Sequence, residues 1–199
     1  MKPQSVQAAL EKLLDRKDVE RLLRLNEVRQ DPTLADTRDY QRLFIGYYKL
    51  VRKKAAFYKV FFELLHAEAE KKLNLSLREL LLELYRRTEE RHLSFCSKLL
   101  ATVYDSAVIF DSNVARYFNV QWPLKNRGLL TNWIDEAMYR YDSVRSEIIA
   151  FTRKPEWTAM RARFDETFPD AVHLSDLRKA DLIIWAAPND GRNRTNLTR

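Results

Sequence analysis

The residues best suited to chemistry lie in one short stretch, Ala107-Val108-Ile109-Phe110-Asp111-Ser112-Asn113-Val114-Ala115-Arg116. An apolar run ends in an aspartate, and a helical pattern starts there. An aspartate at a helix start accepts backbone N–H bonds and caps the helix. A carboxylate held in such a place can also stabilise developing positive charge and orient an attacking water. The two roles are compatible, and Asp111 is open to either the first alone or both. One helical segment earlier stands Lys98, within Ser94-Phe95-Cys96-Ser97-Lys98-Leu99-Leu100. A lysine in such a setting can be a Schiff-base nucleophile if burial lowers its pKa, a phosphate contact, or a solvated charge. All three readings stand for Lys98.

Other chemistries have little material. His66, His92 and His173 are dispersed, and Cys96 is the single cysteine. No metal site, disulfide or cofactor is therefore expected. Glu89-Glu90 reads as a solvated helix end. Gly46, Gly128 and Gly191 are the only glycines, too far apart to build a dinucleotide or phosphate loop.

The elements that must position Asp111 read as helices throughout. Residues 5 to 27 carry Val6, Ala9, Leu10, Leu13 and Leu14, then Val19, Leu22, Leu23 and Leu25, with a short break around Asp15 to Asp18. A helix from near Asp36 or Thr37 holds Tyr40, Phe44, Tyr47 and Tyr48, and another presents Phe57, Val60, Phe61, Leu64 and Leu65. Ser76 with Glu79 forms a capping box before an apolar helix. Helices follow over about 93–104, from Asp111 or Ser112 to Phe118, over 130–151, from Pro155 to about Phe164, and from Ser175 to Trp185. Gln121 to Gly128 reads as a loop. Residues 1–188 are expected to form one helical domain, in which two lobes could flank a cleft. The polar, basic segment 189–199 is expected to be a disordered tail. The class is all-α, an orthogonal multi-helix bundle.

The 199-residue chain carries 35 Lys and Arg against 28 Asp and Glu, a net charge of +7. That excess points to a polyanionic partner, nucleic acid first. No apolar run reaches the about 18 residues needed to span a membrane, and the N-terminus lacks the apolar core of a signal peptide. A cytoplasmic protein, monomeric and without a membrane partner, is the expectation.

The pattern around Asp111 resembles the helix-hairpin-helix DNA glycosylase superfamily, the 8-oxoguanine-glycosylase-like fold. There, an aspartate follows an apolar tripeptide and opens a run of Asp, Thr, His, aliphatic, any residue, Arg. Asp111, Ser112, Val114 and Arg116 match it, and Asn113 stands where the family has His. A little-characterised bacterial branch of that fold is also similar in its Ser-Phe-x-Ser-Lys-Leu element and in Lys179, Asp181, Leu182 and Trp185. The resemblance covers roughly residues 77–118. It implies a helix-hairpin-helix glycosylase-like bundle and a monofunctional DNA glycosylase, with Asp111 as the catalytic carboxylate and DNA as the partner. The substrate would be a damaged or modified base of the cell's own DNA or of foreign DNA. The pocket walls would be Tyr40, Phe44, Tyr47, Tyr48 and His92. DNA contacts would fall to Ser94, Ser97, Lys98, Asn113, Arg116, Lys125 and Arg127, and a wider track could include Lys53, Lys54, Arg86, Arg87, Arg178 and Lys179. Two departures are plain. No glycine or proline lies between Leu73 and Pro123, so the phosphate-binding hairpin is altered, and Leu93 stands where bifunctional members carry a lysine nucleophile. A non-catalytic nucleic-acid-binding module is the alternative, and a helical protein-interaction or toxin–antitoxin component the third reading.

Overall fold

Side-chain caps at Thr37, Ser76, Asp111 and Ser175 each open a helix in the computed structural model, which describes residues 3–121 and 128–187. The expected tail 189–199, Lys125 and Arg127 lie outside the described residues. Among the described residues the chain is all-helical, with no strand. Helix α1 spans Pro3–Asp15 and α2 spans Asp18–Asn26. The break between them comes where the sequence places it, at Arg16 and Lys17, with Lys17 left-handed at φ 52°. Thr37 caps α3 (Arg38–Tyr48), and α4 covers Ala55–Ala69. Ser76 and Glu79 form the expected capping box at α5 (Leu77–Thr88). Helix α6 runs over Leu93–Val103, α7 over Ser112–Tyr117 and α8 over Leu130–Thr152. Helix α9 is Trp157–Thr167, two residues later at its start than Pro155 suggests, and Ser175 caps α10 (Asp176–Ala186).

Two helices lie at the centre. A helix apolar on all sides must be enclosed by others. On α6, Leu93 and every residue from Cys96 to Thr102 are buried, and on α10 all but Trp185 are buried from Arg178 to Ala186. Helix α10 packs on α1, α7, α8 and α9, while α6 packs on α2, α4 and α5. One hydrophobic core runs through the described residues from Val6 to Ala186. Phe44, Phe61 and Phe62 meet edge-on within it, with ring centroids 5.4–5.7 Å apart. Each such ring contributes about 1.5–3 kcal/mol by leaving water.

Buried polar groups tie the central helices to their neighbours. Arg178 bonds Asp181 at 3.1 Å and also donates to the Ala101 carbonyl of α6. Lys179 is 3% exposed and reaches Asp165 at 2.6 Å and the Val172 carbonyl at 2.8 Å. Glu68 of α4 accepts from Tyr104 OH at 2.8 Å and from the Leu75 N–H at 3.0 Å.

Candidate functional site

The segment before Asp111 is an extended strap, and side chains claim its backbone donors in turn. Val108 N–H donates to Tyr141 OH at 3.2 Å, and Phe110 N–H donates to Ser97 Oγ at 3.0 Å. Ile109 N–H faces the Asp181 carboxylate. Buried backbone donors need such partners, so the strap has little freedom to shift. At its end Asp111 Oδ1 accepts from Asn113 N–H at 2.9 Å and Val114 N–H at 3.1 Å, which caps α7. The cap fixes one oxygen. The other, Oδ2, stands 4.0 Å from Lys98 Nζ.

Asp111 is 9% exposed and lines a cleft of about 260 Å³. Three other pieces of chain complete the walls. The end of α3 supplies Tyr47, Tyr48 and Lys49; α6 supplies Ser94 and Lys98; α10 supplies Asp181, Leu182 and Trp185. Ser112 and Asn113, at the start of α7, stand beside Asp111.

The cleft holds two carboxyl groups in different electrostatic settings. Burial pushes the Asp181 carboxyl up to about 7; Arg178 opposes this, and the negative charge of Asp111 adds to it. Asp181 is 3% exposed, and its Oδ1 has no hydrogen-bond partner among the described residues. Near neutral pH it therefore exists partly as the acid, able to donate or accept. The Lys98 amine is pulled below the usual lysine range by burial, against the pull of Asp111 and Asp181. Its Nζ donates to the Tyr48 carbonyl at 3.1 Å, and Tyr48 OH lies 3.2 Å from Thr102 Oγ1. Two carboxyl groups, one of them with its pKa raised by burial, and one buried amine in a single cleft form an acid–base set.

Several expected site residues lie elsewhere. Tyr40 is buried, and its OH donates to the Leu25 carbonyl at 2.8 Å. Phe44 is fully buried in the aromatic core. Along α3 the row Tyr40, Phe44, Tyr48 turns to the core, and only the last turn reaches the cleft. His92 does not line the cleft. It stacks on Phe95 at 4.7 Å and lies 2.7 Å from Glu90 Oε2 and 2.6 Å from Lys53 Nζ. Ser97 and Lys98 are buried, so neither is a surface contact for DNA; Ser97 instead holds the strap. Arg116 is exposed on α7 outside the cleft lining. The wider cationic track also breaks up. Arg178 and Lys179 are buried, Arg86 pairs with Glu83, Arg87 with Glu63, and Lys53 with Glu90.

Two cleft residues carry more than the sequence analysis gave them. Asp181 and Trp185 entered only through a resemblance, yet they sit one turn apart on α10 and both face the cleft. Trp185 lies 6.5 Å from the Tyr47 ring, with Arg16 5.0 Å and Lys12 5.9 Å from its own. The signal in the sequence was the four-residue spacing that puts an acid and a tryptophan on one face of the last helix.

Among the described residues no cluster of His, Cys, Asp or Glu is placed to hold a metal, and no helix is long and apolar enough to cross a membrane. No family model, curated protein or solved structure matches the chain.

Proposed function

We propose that the chain is a monofunctional DNA glycosylase on a helix-hairpin-helix glycosylase-like bundle, with Asp111 as its catalytic carboxylate. The observation that carries this is the division of labour at Asp111. Oδ1 is consumed by the α7 cap, while the side chain still lines a cleft that also holds the Asp181 carboxyl, whose pKa burial raises. A cap with no further role needs no cleft.

The geometry suits cleavage of an N-glycosidic bond. The cleft, about 260 Å³, is below the range of about 300–1,000 Å³ typical of drug-sized ligands, so it suits a single flipped base. Trp185 and Tyr47 offer ring faces for stacking. The Asp111 carboxylate stabilises the cationic sugar that forms as the bond to the base lengthens, and it orients the water that adds to C1′ and takes the proton that water loses. Asp181, in its acid form, hydrogen-bonds the departing base and supplies the proton it needs. Lys98 stays hydrogen-bonded to the Tyr48 carbonyl and balances the two carboxyl groups, which fits water rather than lysine as the nucleophile.

Incubating the protein with duplex and single-stranded DNA carrying a panel of modified bases, then cleaving abasic sites with alkali, tests the reading. Base release by the native chain and none by Asp111→Asn is the expected result. Equal release by both would overturn it.

A non-catalytic binding module remains the second reading, favoured by the α5–α6 connection. Where a glycosylase hairpin would present glycine N–H groups, this chain has left-handed Glu89 at φ 58°, then Glu90, engaged with Lys53 and His92. Tight DNA binding with no base release from any substrate in the panel would select it.

A further inference from the structure

Cations collect at one corner of the cleft. Lys12 lies in the last turn of α1, and Arg16 follows that helix directly. Lys12 Nζ donates to the Ala186 carbonyl at the end of α10 at 3.1 Å, which fixes α1 against that helix. Both cations lie over the Trp185 ring, and that ring lines the cleft. Lys49 follows α3, is exposed and lines the cleft from the other side of Tyr47 and Tyr48.

Lys49 is the left-handed C-cap of α3, at φ 57°, with its N–H on the Ile45 carbonyl. One detail sets this corner apart from a scatter of surface lysines. The carboxylate at its centre, Asp18, is 1% exposed, and burial raises its pKa. Arg16, Arg21, Lys12 and Lys49 all act on that one group. Arg16 Nε reaches it at 3.3 Å, and one carboxylate cannot neutralise four cations. Lys17 is not part of the set, since it leans toward Glu20 at 4.0 Å.

The two carboxyl groups thus lie inside the cleft with the Lys98 amine between them, and the further cations stand at its edge. A nucleotide suits that arrangement. Its sugar carbon must approach Asp111, and its phosphates flank the sugar. Cations interleaved with a stackable ring are the usual grip on a strand whose bases are unstacked.

We propose that the corner formed by Lys12, Arg16 and Lys49, edged by Trp185, holds the phosphodiester backbone of the strand whose base enters the cleft. The proposal rests on the nucleic-acid reading of that cleft but not on its catalysis.

The test is fluorescence anisotropy with a labelled single-stranded oligonucleotide carrying a tetrahydrofuran abasic analogue, titrated between 50 and 200 mM salt. Each phosphate contact on a single strand adds about 0.7 to the slope of log K against log salt. The Arg16→Gln/Lys49→Gln protein should show a slope shallower by about 1.4 and weaker binding at low salt. Lys49→Gln alone, which leaves the Asp18 pairing with Arg16 in place, should lose about half of that slope change and keep the native Tm. Lys72→Gln/Arg86→Gln, away from the cleft lining, should bind as the native chain does. An unchanged slope in both corner variants would overturn the proposal. So would competition by polyglutamate as strong as by the oligonucleotide at equal charge, since polyglutamate has no ring for Trp185. If the slopes change but no base is ever released, the corner stands and the glycosylase reading falls. If base is released and the slopes do not change, the reverse holds.

Discussion

Lys98 Nζ sits 3.1 Å from the Tyr48 carbonyl oxygen and 4.0 Å from Asp111 Oδ2, so the amine is hydrogen-bonded to α3 before it is paired with the aspartate. An amine held in this way serves charge balance better than attack. Borohydride treatment of the protein during base release should therefore trap no covalent protein–DNA adduct. A trapped adduct that disappears in Lys98→Met would make the lysine a nucleophile and the enzyme bifunctional.

Asp111→Asn should lower base release by about 100-fold or more, the usual cost of removing a transition-state electrostatic partner. Its Tm should stay near the native value, since asparagine also caps α7. Asp111→Ala should lose both functions and in addition about 1 kcal/mol of stability. Chemical denaturation of the two variants beside the glycosylase assay separates cap from catalyst.

Asp181 predicts a pH signature. In the unfolded chain its carboxyl titrates near 3.8, and in the fold it is pushed up to about 7. Below the lower value both states hold the proton. Between the two values only the fold holds it, and above about 7 the fold must keep a buried carboxylate. The contribution of this group to stability is thus fully present at acid pH and is lost as pH rises through that window. Thermal melts from pH 4 to 8 should show a decline in the native chain relative to Asp181→Asn. Base release should fall above about pH 7 in the native chain, and the variant should lack that limb.

Trp185→Ala should weaken binding of an abasic or modified oligonucleotide by about 1–3 kcal/mol, or about 5- to 150-fold. Trp185→Phe should recover part of it. The comparison is read by anisotropy at fixed salt, and equal binding by all three proteins would remove Trp185 from the substrate surface.

Phe44 and Tyr40 should behave as core. Phe44→Ala should cost about 3–5 kcal/mol of stability, and Tyr40→Phe about 0.5–1.5 kcal/mol for the lost hydrogen bond to Leu25. Neither should alter the KM of the protein that remains folded. A raised KM in Tyr40→Phe at native stability would return that residue to the pocket.

The helices were readable because their signals are local. Thr37, Ser76, Asp111 and Ser175 cap through atoms within a turn of themselves, and each was identifiable by residue type. The site was legible only in part, because its membership is decided by packing between distant segments. The aromatic row on α3 was visible, but its rotation was not. Tyr40 and Phe44 turn to the core because α4 brings Phe61 and Phe62 against them, and nothing near residue 40 records that. Arg178 and Lys179 look like surface charges until Asp181, Asp165 and the Ala101 carbonyl are found beside them. Asp111 and Lys98 were singled out by pattern, and their proximity then came from the fold.

The bond from Lys12 to the Ala186 carbonyl has a consequence for the order of assembly. Helix α10, which forms one wall of the cleft, is braced by the first of the described helices, a pairing of very long sequence separation, the kind that forms late. The strap that carries Asp111 leans on Tyr141 and Asp181 as well, so the aspartate and its enclosure are completed together, when the last helix docks.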